Sequence, residues 1–226
     1  MIKAISKVQK LASGANSGVV LNASLPISIK VAEKTGYNRY MLIFHNKKLS
    51  TKSMKSLKIG SQYWGEISSG KENIVIQNLY EKPNFSFNGL KEGLNLIEKI
   101  INESDLAWFY EHISSNLANT NDKFEFEIYT DMLFALQNKT IHVPFIYGEN
   151  FGVFQMKKSG QESKIYLVFS NFAPLIFELR DFKISSITTP FKKVANLLRQ
   201  KFECEIKIGE ANEIYKPKAT IIDFKG

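Results

Sequence analysis

Three histidines, one cysteine and several paired acids are the residue types in this chain that could do chemistry. His45, His112 and His142 could shuttle protons or hold a metal, but none has a second histidine, a cysteine or a paired carboxylate at ligand spacing. Glu125 and Glu127, and Glu203 and Glu205, are acids two residues apart. On a strand each pair would share one face, as a general acid and base require, yet each is flanked by further charge and reads as solvated. Cys204 lies between two glutamates, which would not lower its pKa, and reads as a small strand residue rather than a nucleophile. The chain has no Gly-x-Ser-x-Gly elbow, phosphate-binding loop or dinucleotide fingerprint. It is therefore expected not to be an enzyme, with no catalytic, cofactor-binding or metal-binding residue and no cofactor.

Binding is the other kind of chemistry on offer. The formal net charge is +8, and it is uneven: residues 1–60 carry eleven Lys or Arg against the single acid Glu33, whereas residues 61–226 are slightly acidic. Lys47, Lys48, Lys52, Lys55 and Lys58 would form a basic face for nucleic acid, an anionic membrane or an acidic protein, or simply a solvated surface. Tyr63, Trp64, Trp108, Phe109 and Tyr110 could stack bases, but their spacing reads as core, and the lysines are not interleaved with exposed aromatics. A hydrophobic content of 44% supports a packed core. No apolar run approaches the length of a membrane span, the start lacks a secretory signal core, and one cysteine excludes an internal disulfide. A cytoplasmic location is expected.

The elements that would position these residues follow from periodicity. Residues 1–24 are small and polar enough to read as a flexible leader. From Pro26 the pattern alternates, giving strands over 26–32, 37–44, 48–53, 62–67 and 73–80, with a turn at Leu57–Gly60. Five short strands in so few residues predict a small OB- or SH3-like β-barrel over 25–82. Helical spacing then predicts three helices in a connector over 83–139: Leu90 to Ile101, Leu106 to Leu117, and Phe124 to about Asn138. Strands follow at 140–147, 151–156, 165–169, 175–179 and 182–187, with a breaker at Asn171–Pro174. Thr189 should cap a helix with Pro190 at its first position, and Phe191, Val194, Leu197, Leu198 and Phe202 make an apolar stripe to lie across that sheet. A strand at 203–208 ends at Gly209, and 210–226 is a tail. The expected fold class is α+β: an N-terminal five-stranded barrel, a helical connector, and a C-terminal two-layer α/β module over 140–209. At the breaker, Phe172, Pro174 and Leu175 are expected at the module's edge, where Phe172 either tucks under the helix or anchors a partner.

The order of segments resembles the FliK-like flagellar hook-length control proteins. Lys30-Val-Ala32 and Asn38-Arg-Tyr-Met-Leu-Ile-Phe44, then Lys48-Leu-Ser-Thr-Lys-Ser53, Leu57-Lys-Ile-Gly60 and Trp64-Gly-Glu-Ile67, are similar in order to that family's small β-domain. His142-Val-Pro144, Gly152-Val-Phe-Gln-Met-Lys157, Lys164 to Leu179 and Val194 to Phe202 resemble its C-terminal domain in order. The family usually has Leu-Gly at the bend where this chain has Phe172-Ala-Pro-Leu175, and the long ruler region is lacking in these 226 residues. The resemblance implies a non-enzymatic accessory of type III export, docking on the cytoplasmic domain of the export-gate protein FlhB, and leaves export of the chain itself open. The alternative from the residues is a single-stranded nucleic-acid binder on an OB-like basic barrel.

Overall fold

The protein is described by a computed structural model over residues 25–44, 47–53, 56–69, 74–83, 89–103 and 105–217. The expected leader at 1–24 lies outside the described residues, as do His45 and Lys55. The chain divides into two units: the segment up to Pro83 together with Pro190–Lys201, and Asn84–Thr189 together with the chain from Phe202 onward.

In the first unit, β1 (Ile27–Gly36), β2 (Arg39–Phe44), β3 (Lys47–Lys52), β4 (Gln62–Ser69) and β5 (Ile74–Glu81) form one antiparallel sheet in the order β3-β2-β1-β4-β5. Alternation sends Ile29, Val31, Tyr40, Leu42 and Tyr63 to the inner face, where Leu57 joins them in one buried cluster. Tyr40 and Tyr63 are buried with their hydroxyls satisfied by the Leu57 and Lys58 backbone N–H groups, at 3.4 and 3.1 Å. Those two bonds fix the loop that closes the cluster. On the outer face, helix α4 (Lys192–Arg199) covers the β4–β5 half. Phe191 meets Tyr80 edge-on at 6.5 Å, and the Glu66 carboxylate accepts the Lys193 backbone N–H at 3.0 Å.

In the second unit, β6 (Ile141–Tyr147), β7 (Asn150–Ser159), β8 (Glu162–Phe169), β9 (Phe172–Arg180) and β10 (Lys183–Thr189) make an antiparallel meander, and β11 (Glu205–Ile208) adds in parallel to β10. One face carries α1 (Gly93–Asn102), α2 (Ala107–Asn119) and α3 (Lys123–Gln137). Leu96, Ile100, Phe109, Ile113, Ile128 and Met132 from the helices bury with Ile141, Val143, Phe145, Phe154 and Met156 from the sheet. Asp122 caps α3 by accepting the Phe124 and Glu125 N–H groups.

These facts correct the expected fold class. The chain is mostly β, and neither sheet is a closed barrel: among the described residues, the five-stranded sheet expected as an OB- or SH3-like barrel ends at β3 and β5, which do not pair with each other. The second sheet is not part of a small module at 140–209 with the 190–202 helix as its layer: α1–α3, expected as a connector, are the layer packed on its six strands. The helix at 192–199, expected to cover the C-terminal sheet, belongs to the first unit. Its cap also differs. Phe191 holds the N-cap position without a side-chain bond, Glu66 supplies the acceptor from another strand, and the buried Thr189 hydroxyl has no hydrogen-bond partner. A threonine before a proline is a local signal, and a carboxylate brought by the sheet overrides it.

Candidate docking surfaces

The bend weighed as a docking edge is a two-residue turn at Ser170 and Asn171, and β9 runs through Pro174. Phe169 pairs with Phe172 and Leu167 with Leu175, so two residues of β9 oppose one of β8. Pro174, which has no N–H to give the ladder, sits in that bulge. Phe172 is half-buried, and Pro174 and Leu175 are buried. Of these three, a partner approaching the bend would reach Phe172 alone, beside the exposed Asn171.

The most exposed aromatic of this unit among the described residues, Phe182, stands at the next hairpin. Arg180 pairs with Lys183, leaving Asp181 and Phe182 as the turn, with φ of 50° and 62°. A two-residue turn with both φ positive favours Asn-Gly, because a β-carbon is strained there. Phe182 is 88% exposed, so no packing offsets that strain. The alternation Phe182-Lys-Ile184 read as strand, and no Gly or Asn marked the turn.

Of the lysines expected to form the basic face, Lys47, Lys48 and Lys52 lie on β3, and Lys48 and Lys52 are exposed. Lys58 is on the loop that follows and pairs with Glu81 at 3.0 Å; its hydrogen bond to that carboxylate raises its pKa. These lysines do not form one patch. The register instead puts Lys48 and Lys52 with Lys30 and Arg39, which proximity in sequence does not suggest. Among the aromatics weighed for stacking, Tyr63, Trp64 and Phe109 are buried.

Two polar clusters escaped spacing rules because their members come from distant segments. Tyr129 donates to Glu92 Oε1 at 2.9 Å, and His112 Nε2 lies 3.2 Å from the same oxygen. Burial and the Glu92 bond push the Tyr129 phenol well above its ordinary range, so the hydroxyl keeps its proton. One carboxylate thus joins the entrance of α1 to α2 and α3. In the second cluster, Gln155 Oε1 accepts the Ile214 and Tyr215 N–H groups at 2.8 and 3.1 Å, and Nε2 donates to the Tyr215 carbonyl at 2.7 Å. His142 Nδ1 is 3.1 Å from Nε2, and burial lowers the imidazole pKa to about 4, so it is a neutral acceptor near pH 7. Both clusters hold segments together. Among the described residues no group of three or more His, Cys, Asp or Glu could hold a metal ion, and no helix is long and apolar enough to cross a membrane. Burial also raises the pKa of Cys204, against thiolate chemistry.

Asp131 is buried on α3 with Oδ1 unpartnered, and burial, with the nearby Glu127 charge, pushes its pKa up to about 6. The unfolded carboxyl ionises near 3.8, so between those values the unfolded state loses the proton first and stability falls as pH rises. Asp131→Asn should therefore stabilise the protein at pH 7.5, by about 2 kcal/mol at roughly 1.4 kcal/mol per unit with the amide's own burial deducted. The gain should vanish at pH 3.5. Denaturant unfolding of both proteins at the two pH values checks this.

No family model, curated protein or solved structure matches the chain.

Proposed function

We propose that this chain acts by protein–protein docking, as a non-enzymatic accessory of flagellar type III export of the hook-length control and substrate-specificity switch class. Its partner in this reading is the cytoplasmic domain of the export-gate protein FlhB. The class rests on the resemblance of the segments between Asn38 and Ile67 and between His142 and Phe202. Docking rests on one observation, the exposed Phe182 held in left-handed backbone at a hairpin tip. Strain retained where it gives no packing marks a residue kept for an external contact, and large aromatics carry a disproportionate share of interface energy. Arg180, Asp181 and Lys183 border the ring, which suits an apolar pocket with a polar rim.

Phe182→Gly separates docking from a structural role. Glycine accepts φ near 60° without strain but adds freedom to the unfolded chain, so unfolding free energy should be unchanged or rise by up to about 1 kcal/mol. Pull-down of the FlhB cytoplasmic domain should fall at least tenfold. Undiminished capture by the glycine variant would sink this reading.

A further inference from the structure

The half of the first unit's outer face that α4 leaves open is a grid of cations. Lys30 in β1, Ile43 in β2 and Lys48 in β3 stand side by side across three strands, and Gly36, Arg39 and Lys52 form a second such line. Between them lie Glu33, Met41 and Ser50. Because Ile29, Val31, Tyr40 and Leu42 take the inner positions, alternation turns these residues outward. Lys30, Arg39, Lys48 and Lys52 are all exposed, and none is held by an ion pair among the described residues. Neighbouring strands are about 4.8 Å apart and alternate residues about 6.7 Å along a strand, so the four cations frame a patch of roughly 10 by 13 Å. Glu33 is the one acid on it. At its edge, in the β1–β2 turn two residues from Arg39, Tyr37 is 88% exposed.

We propose that this face binds single-stranded nucleic acid, with Lys30, Arg39, Lys48 and Lys52 on backbone phosphates and Tyr37 stacked on an unpaired base. Cations free of internal partners release counterions on meeting phosphates, and the exposed Ser28 and Ser50 hydroxyls can donate to the same oxygens. A protruding aromatic beside a tracking basic surface is the arrangement that reads single strands without sequence preference. A duplex offers Tyr37 no open base face. An anionic membrane fits less well, because Met41 and Ile43 are half-buried between their neighbours and leave no aliphatic side chain proud of the patch.

The test is fluorescence anisotropy of the full chain with labelled oligo(dT) and oligo(rU), over a series of salt concentrations. Saturable binding is expected at 50 mM salt, with log affinity falling against log salt at a slope near −3, about 0.7 for each of the four phosphate contacts. The combined variant Lys30→Ser, Arg39→Ser, Lys48→Ser, Lys52→Ser should bind at least tenfold more weakly with a flattened slope. Tyr37→Ala should lose about tenfold with the slope unchanged. Lys58→Ala, whose charge Glu81 already engages, should bind as the parent does. All changed side chains are exposed, and circular dichroism verifies that each variant is folded. Equal affinity for poly-glutamate, for phosphatidylserine vesicles or for duplex of the same length would overturn the proposal. So would retention of oligonucleotide binding in the fourfold variant.

Discussion

Gly152→Ala is expected to lower the unfolding free energy by about 3 kcal/mol, the upper end for overpacking a closed core. Phe145 lies directly opposite Gly152 across β6 and β7, with its ring over the glycine. A β-carbon added there would stand 2.6 and 2.7 Å from two ring carbons. The ring has nowhere to retreat. Phe169 meets it edge-on at 5.3 Å, and the backbone behind it is pressed by the entrance of α1, where a β-carbon on Gly93 would lie 2.6 Å from the Phe145 Cβ. Denaturant unfolding measures the loss. Adding Phe145→Leu to the variant should recover part of it, because the two changes share one space and are not additive. A variant as stable as the parent would mean that the sheet can spread here.

Gln155→Leu should cost about as much for the opposite reason, lost polar partners in unchanged volume. The Gln155 amide is fully buried and answers two N–H groups and one carbonyl of the 214–215 backbone. Leucine leaves these three groups without that partner, and unfolding free energy should fall by about 3 kcal/mol. The tail from Ala211 to Pro217 should then detach, and chymotrypsin should cleave after Tyr215 at least tenfold faster than in the parent. Gln155→Glu should fail too, since a carboxylate cannot donate to the Tyr215 carbonyl. Unchanged cleavage in both variants would show that other contacts hold the tail.

Local pattern reached the strands of the first unit because burial alternates there residue by residue: Tyr40, Leu42 and Phe44 are buried while Arg39 is exposed. It could not reach closure. Whether β3 and β5 meet depends on the curl and length of the sheet, and alternation is the same in an open sheet and a barrel. The stripe of Phe191, Val194 and Leu198 shows that α4 needs an apolar surface, but two sheets offer one, and the deciding acceptor, Glu66, lies far away in sequence. The exposed sites were hidden differently. Phe182 continued an alternating run, so it read as strand, and the cations of the open face were counted as neighbours in sequence when register groups Lys30 and Arg39 with Lys48 and Lys52. Clusters such as Glu92, His112 and Tyr129 have no spacing at all to read.

The placement of α4 sets the timing of folding. Glu66 and the helix it caps are 127 residues apart, so a ribosome delivers the sheet of the first unit long before its cover. At roughly 5–20 residues per second, Tyr80 and the β4–β5 outer face wait on the order of ten seconds for Phe191. The entropy of closing so long a loop grows only logarithmically, so the cost falls on the rate more than on final stability. During that interval the outer face of β4 and β5 stays uncovered, which makes the nascent chain an aggregation hazard at high expression.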